Sequence, residues 1–176
     1  KREKNMDKIA IFYGPTGGNT EKVARKLAAA LGDKKCVLLQ VKDATEIDIE
    51  PYSKIIFGGP TVGTHVWQDQ KTNDWDHFLV RMKKMDLTGK KCAIFGLGDH
   101  IAYAHHFVDD IGIMAERIDQ AGGELIGKVP VSGYDFEQSK AQDGDFFLGL
   151  PIDEDYESEK TDQRIRQWVE LLLTEF

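Results

Sequence analysis

Only two cysteines, Cys36 and Cys92, occur in the 176 residues. Two cannot staple a small secreted framework, and each sits in an apolar run, so both read as buried thiols of a protein in a reducing compartment. Cations are also scarce: 23 Lys and Arg stand against 30 Asp and Glu, a formal charge of −7. Affinity for a phosphate backbone comes from clustered cations, so a nucleic-acid binder is not expected. No run approaches the roughly 20 apolar residues that span a bilayer, and the first residues, Lys1-Arg2-Glu3-Lys4-Asn5-Met6, contain no apolar signal region. The expectation is a soluble cytoplasmic protein, with residues 1–5 an appended remnant or frayed end and residues 6–176 a single domain. Metal-site spacing is missing too. His65, His100, His105 and His106 form no i, i+4 pair with a carboxylate between, and neither Cys joins them, so they read as solvated loop side chains. There is no Gly-x-Ser-x-Gly elbow.

What is present is an alternation of two periodicities. Short apolar runs at 8–13, 36–41, 54–57, 91–95 and 125–131 have the length of strands buried on both faces. Helical patterns lie between them. Val23, Ala24, Leu27, Ala28 and Leu31 share one face of 19–31, which stops at Gly32. Trp75, Phe78, Leu79 and Met82 do so in 74–85, and Phe107, Ile111, Met114, Ala115 and Ile118 in 107–121. Ile165, Trp168, Val169 and Leu172 line up in 161–176. The second crossover, 43–52, is short and broken by Pro51. Strands alternating with helices imply an α/β fold, a doubly wound parallel sheet of five strands with helices on both faces. A polar stretch at about 132–147 interrupts this order and reads as an insertion, so that strand five is interrupted by a long loop.

In such a sheet, ligands bind beyond the carboxyl ends of the strands. Three glycine-rich loops lie there. Gly14-Pro15-Thr16-Gly17-Gly18-Asn19-Thr20 joins the first strand to the first helix. Unpaired N–H groups and the positive end of the helix dipole meet in it, and Asn19 or Thr20 can cap the helix. A nucleoside triphosphatase loop needs Lys where this chain has Asn19, so the loop is either a monophosphate site without a metal or a tight turn that binds nothing. The second loop, Gly58-Gly59-Pro60-Thr61-Val62-Gly63-Thr64-His65-Val66-Trp67, includes a glycine able to reorient its peptide at low cost, Gly63. In the third, Gly96-Leu97-Gly98-Asp99-His100-Ile101-Ala102-Tyr103, the Tyr103 ring either covers a flat ligand or rests half-exposed.

Together, Phe12-Tyr13-Gly14 through Gly18-Asn19-Thr20-Glu21, Gly59-Pro60-Thr61, Phe95-Gly96-Leu97-Gly98-Asp99 and Tyr103-Ala104 resemble the flavodoxin family. The resemblance is specifically to its long-chain branch and extends through Asp110-Ile111-Gly112-Ile113, Gly133-Tyr134-Asp135-Phe136, Ser139-Lys140-Ala141, Leu150 to Asp155 and Thr161-Asp162 through Trp168-Val169, so that the similarity runs from about Lys8 to Phe176. The resemblance implies a flavodoxin-like fold that binds FMN noncovalently. It further implies a low-potential carrier that is not an enzyme and that shuttles single electrons through the semiquinone/hydroquinone couple. In that pattern Pro15, Thr16, Gly17, Gly18, Asn19 and Thr20 hold the phosphate. Pro60, Thr61, Val62, Gly63 and Thr64 line one flavin face, with Trp67 or His65 nearby, and the Gly63-Thr64 peptide turns on reduction. Leu97, Gly98 and Asp99 bond the pyrimidine edge, Tyr103 stacks on the other face, Asp155 lies by the ribityl chain, and His106 and Phe107 complete the set. The chain departs from the pattern at Pro15 and Gly17, where hydroxyls usually stand, and at Val62, where a Trp usually stacks. Two lost hydrogen bonds to a charged group, at about 1.5–3 kcal/mol each, would weaken phosphate binding unless the backbone or Thr16 substitutes. The implied partners are basic redox proteins that dock transiently on a monomer, a flavodoxin reductase or oxidoreductase as donor and a low-potential redox enzyme as acceptor. Seven acids between Asp143 and Glu159, with no Lys or Arg among them, supply the docking charge. Two other readings are an FMN-dependent NAD(P)H:quinone-type reductase and an interaction module that has lost its flavin.

Overall fold

The computed structural model describes residues 7–60 and 74–176. In chain order the elements are β1 (Ile9–Tyr13), α1 (Asn19–Leu31), β2 (Cys36–Gln40), α2 (Glu46–Ile49), β3 (Lys54–Gly59), α3 (Asp74–Met82), β4 (Lys91–Leu97) and α4 (Asp109–Gln120). There follow β5 (Glu124–Leu125), β6 (Val129–Pro130), β7 (Gln142–Asp143), β8 (Phe146–Phe147), β9 (Leu150–Ile152) and α5 (Thr161–Glu175). The main sheet runs β2-β1-β3-β4-β5, parallel throughout, and β9 also pairs with β4. Strand order therefore reverses between β1 and β3, where an open α/β sheet leaves a crevice.

The fifth strand position is filled in two pieces. β5 pairs with Lys91 and Cys92, and β9 pairs with Phe95, Gly96 and Leu97 further along the same strand. The interruption spans 126–149, wider than the expected 132–147, because the run 125–131 does not continue as one strand. Gly127 at φ +81° turns the chain out of the sheet, and Val129–Pro130 joins a separate antiparallel ribbon with β8 and β7. β2 also departs from the reading. It is half-buried rather than buried on both faces, because it is the edge strand. The second crossover contains one helical turn, α2, closed by a capping box between Thr45 and Asp48.

Two apolar layers clasp the sheet. Ile11, Tyr13, Ile56 and Phe95 pack under α1 and α5 through Val23, Leu27, Ile165, Trp168 and Leu172. On the opposite face Phe12 and Phe57 pack with Trp75 and Phe78 of α3 and with Ile111, Met114 and Ile118 of α4. Every residue assigned above to an inward helical face is buried. Gly58 pairs with Phe95 across β3 and β4, and a Cβ there would stand 1.9 Å from the Phe95 ring, so the small residue makes room for the large one.

Cys92 is buried, as expected, and burial pushes its thiol up to about 12. Cys36 is only half-buried, on the edge strand, yet burial and then the Asp33 charge push it up to about 11. The thiolate is the reacting species, so both react sluggishly at pH 8. Treatment of the folded protein with an aromatic disulfide reagent is expected to leave Cys92 unmodified and to label Cys36 slowly. Both should react in denaturant, and rapid labelling of two thiols in the native protein would contradict this.

Candidate functional site

The loop after β1 comes first at the crevice. Residues 15–19 are exposed, Gly17 takes φ +82°, and nothing lies within 4 Å of where a side chain on Gly17 or Gly18 would begin. The helix N-cap is Gly18, not Asn19 or Thr20, and no side chain caps it. The first helical bond runs from the Lys22 N–H to the Gly18 carbonyl at 3.2 Å, so the amides ahead of it lack helical acceptors. Thr20 is buried, while Pro15, Thr16 and Asn19 face outward. The loop is held from behind: the Trp75 indole N–H donates to the Gly14 carbonyl at 2.9 Å, and the Tyr13 hydroxyl donates to Glu21 at 3.2 Å. The arrangement is an open, uncapped helix N-terminus, which favours an anion.

Pro60 ends β3 at the same edge, half-buried beside Trp75 and α4. The second loop's remaining residues, Thr61, Val62, Gly63, Thr64, His65 and Trp67, lie outside the described residues, as do residues 1–5.

The third loop leaves β4 between the first two. Leu97 is buried, and Asp99 is 9% exposed because its Oδ1 accepts the N–H groups of Ile101 at 3.0 Å and Ala102 at 2.7 Å. The side chain thus shapes its own loop. Tyr103 is half-exposed, and its N–H reaches the Asp99 carbonyl at 3.0 Å. Asp155, exposed after β9, stands close enough to this loop that its carboxyl is pushed up, first by partial burial and then by the charges of Asp99, Asp153 and Glu154.

Two of the expected contacts are engaged with the protein itself. Phe107 has no exposed surface, and its ring packs 5.8–6.1 Å from Phe136, Phe147 and Tyr134, so no face is free for a cofactor. In the structure Phe107 packs as a core residue. A Cβ on Gly98 would lie 2.7 Å from the Phe107 ring, so Phe107 backs the loop that Gly98 begins. His106 turns its Nδ1 to Asp109 at 3.1 Å, while the other Asp109 oxygen accepts the Lys140 N–H at 2.7 Å, which fastens the interruption to the start of α4.

Other residues at this edge escaped the sequence reading. His100 is not a solvated loop side chain. Its ring is 16% exposed and bonds through Nδ1 to Asp153, a fully buried acid that follows β9 directly. Burial pushes the Asp153 carboxyl up, but hydrogen bonds from the His100 ring and the Tyr156 and His100 amides outweigh it and hold the group below its ordinary range. Glu157, likewise buried, bonds Lys160 and Arg164 and is held low. The acidic surface is therefore smaller than the seven acids suggested. Asp143, Asp145, Asp155 and Glu159 are exposed, whereas Asp153 and Glu157 are interior and the Glu154 side chain is 3% exposed beside Lys22. A position immediately after an apolar strand was the available signal for Asp153. Among the described residues, no helix is long and apolar enough to cross a membrane.

The sequence and the fold are shared with known proteins. The flavodoxin of Synechocystis sp. is 39% identical over 165 residues, 93% of this chain and 95% of that one. That of Nostoc sp. is 40% identical over 170 residues, 96% of this chain and 97% of that one. The crystal structure of Fusobacterium nucleatum flavodoxin bound to flavin mononucleotide superposes with a TM-score of 0.87 at 25% identity, covering 97% of this chain and 99% of that one. A sequence profile of the flavodoxin family matches residues 11–168, so this chain belongs to the flavodoxin family.

Proposed function

We propose that this chain binds FMN noncovalently and carries electrons between redox enzymes. The observation that carries the reading is the uncapped N-terminus of α1 behind the open Gly17-Gly18 turn, set at the strand-order reversal beside the loop of Asp99 and Tyr103. Flavodoxin relatives over nearly the whole length support it. FMN supplies a redox centre able to take and release electrons singly.

The residues fit that group. Amides between Thr16 and Glu21 receive a phosphate without a fixed cation, with Thr16 and Thr20 as the hydroxyls at hand. The absent side chains at Gly17 and Gly18 let it approach, and the backbone compensates for the hydroxyls that Pro15 and Gly17 lack. Leu97, Gly98 and Asp99 present backbone groups to the flavin edge, Tyr103 covers one face, and Asp155 lies toward the ribityl chain. Asp99, Glu154 and Asp155 oppose added negative charge, which sets a low potential. Exposed acids and a net charge of −7 suit brief docking on basic redox proteins. We assign the chain to the cytoplasm and a non-enzymatic role. Full-length similarity to flavodoxins does not favour the reductase reading.

Titrating the purified apoprotein with FMN at neutral pH tests this directly. Flavin fluorescence should be quenched stoichiometrically, with a protein-induced circular dichroism band in the visible. Unquenched fluorescence at micromolar protein would refute it.

A further inference from the structure

Two loops meet at the crevice, and both are acidic. The loop after β4 carries Asp99, and the turn after β9 carries Asp153, Glu154 and Asp155. The last sheet-type bond between them runs from the Gly98 N–H to the Ile152 carbonyl at 2.8 Å. Beyond that point Asp99 and Asp155 oppose one another across the gap, and repulsion between the two carboxylates works against the loops' approach.

His100 bridges that gap. Its backbone N–H donates to Asp153 Oδ2 at 3.1 Å, and its ring Nδ1 meets the same oxygen. The acceptor opposite assigns the proton to Nδ1. The other oxygen, Oδ1, accepts the N–H groups of Asp155 at 3.0 Å and Tyr156 at 2.9 Å. One buried carboxylate thus closes its own turn and grips the neighbouring loop. The other groups facing the ring are Glu157, 4.0 Å from Nδ1 and already engaged by Arg164 and Lys160, and Tyr156, whose ring meets the imidazole edge-on at 5.8 Å. Asp99 is the preceding residue. Its carboxylate fixes only the shape of its own loop, through Ile101 and Ala102, and leaves that loop's placement against the 153–156 turn to His100.

We propose that His100 is a positioning residue for the flavin: through Asp153 it fastens the loop bearing Asp99 and Tyr103 to the turn bearing Asp155, against the repulsion of their acids. The proposal rests on the FMN reading given above, and it names a residue that the flavin itself need not touch. A hydrogen bond to a charged acceptor is the interaction at stake, so its loss should cost about 10- to 100-fold in flavin affinity.

Two variants separate the possibilities. His100→Leu removes the ring donor at similar volume, and His100→Gln keeps an N–H donor. Hydrogen exchange at the Tyr156 and Asp155 amides of each apoprotein is measured first, then FMN dissociation constants at low and high ionic strength, with global stability checked in urea. Expected for His100→Leu is at least 10-fold faster exchange at both amides and the stated loss of affinity, part of it recovered at high salt as the acids are screened. His100→Gln should regain most of both. Wild-type exchange in the Leu variant overturns the clasp. Faster exchange with undiminished affinity overturns the positioning role, and so does an affinity loss that tracks global stability and ignores both salt and the Gln rescue. Faster exchange beside a wild-type chain that takes up no FMN overturns the flavin reading and the positioning role with it.

Discussion

Asp110→Ala is expected to stabilise the folded protein at neutral pH by about 1–2 kcal/mol. The wild-type carboxyl is buried in the first turn of α4, and among the described residues neither oxygen has a well-formed hydrogen-bond partner. It stands over the paired glycines Gly59 and Gly96, where a Cβ would come within 3.1 and 3.0 Å of Oδ2. Beside it lies a void of only about 10 Å³, lined by Gly59, Pro60, Trp75, Leu79, Ile113 and Met114. Burial, and secondarily the neighbouring Asp109 charge, push the carboxyl well above its ordinary range, although the nearby Asp110 and Ile111 amides favour the anion. A buried polar group without a partner costs about 1–3 kcal/mol in mutational data. Removing the carboxylate atoms leaves a cavity of roughly 25 Å³, which at about 24 cal/mol per Å³ costs only about 0.6 kcal/mol. The relief wins. For a chain of this size the gain raises Tm by about 2–8 °C.

The pH dependence gives the same prediction a sign. The native carboxyl holds its proton at pH values where the unfolded one, at about 3.9, has released it. The native state therefore binds more protons in that window, and the group's contribution is most favourable below about pH 4 and declines as pH rises through its raised folded value. The advantage of Asp110→Ala over wild type should be smallest in acid and grow toward neutrality, as read by urea unfolding at several pH values. Asp109→Ala is the control. Asp109 accepts from Lys140 and meets His106, so its removal should destabilise. An Asp110→Ala variant less stable than wild type at pH 7 would mean that the carboxyl has a favourable role that its missing partners do not suggest.

Much of the molecule is written in periodicity. The helices α1, α3, α4 and α5 were readable because each has apolar residues three and four apart, and those residues are the buried ones. The split of strand five was readable from a polar stretch, but its limits were not. Val129, Pro130 and Val131 look like a continuation of the 124–125 strand, and the backbone turn at Gly127 sends Val129 and Pro130 into another sheet. At the site, backbone features were legible because glycines announce them, as at Gly17 and Gly18. Side chains whose role depends on burial were not. Only its place directly after an apolar strand separates Asp153, the interior hub, from Asp155, exposed two residues later, and nothing local separates a clasping His100 from the exposed His105. Asp110 left a faint trace, standing four residues before the buried Met114 on the helix.

Phe107 is the case where that limit has the largest measurable consequence. The resemblance placed it against the flavin; the structure encloses it between Phe136, Phe147 and Tyr134, with its N–H donated to the Gln138 carbonyl at 3.1 Å and its carbonyl accepting from Ser139. Phe107→Ala should therefore cost about 3–5 kcal/mol of folding stability in the apoprotein, the range for truncating a buried aromatic. A side chain that only covered the flavin would leave apoprotein stability nearly unchanged. Flavin affinity should also fall, because Gly98 packs against the Phe107 ring as well as Val108 and the loop to Tyr103 loses part of its backing. Phe107→Leu, which refills much of the space, should recover most of the stability and, with it, the affinity. The coupled recovery is the decisive observation. If Phe107→Ala left the unfolding midpoint of the apoprotein in place while weakening FMN binding, the ring would have to touch the cofactor after all, and the aromatic cluster would not be what holds this loop.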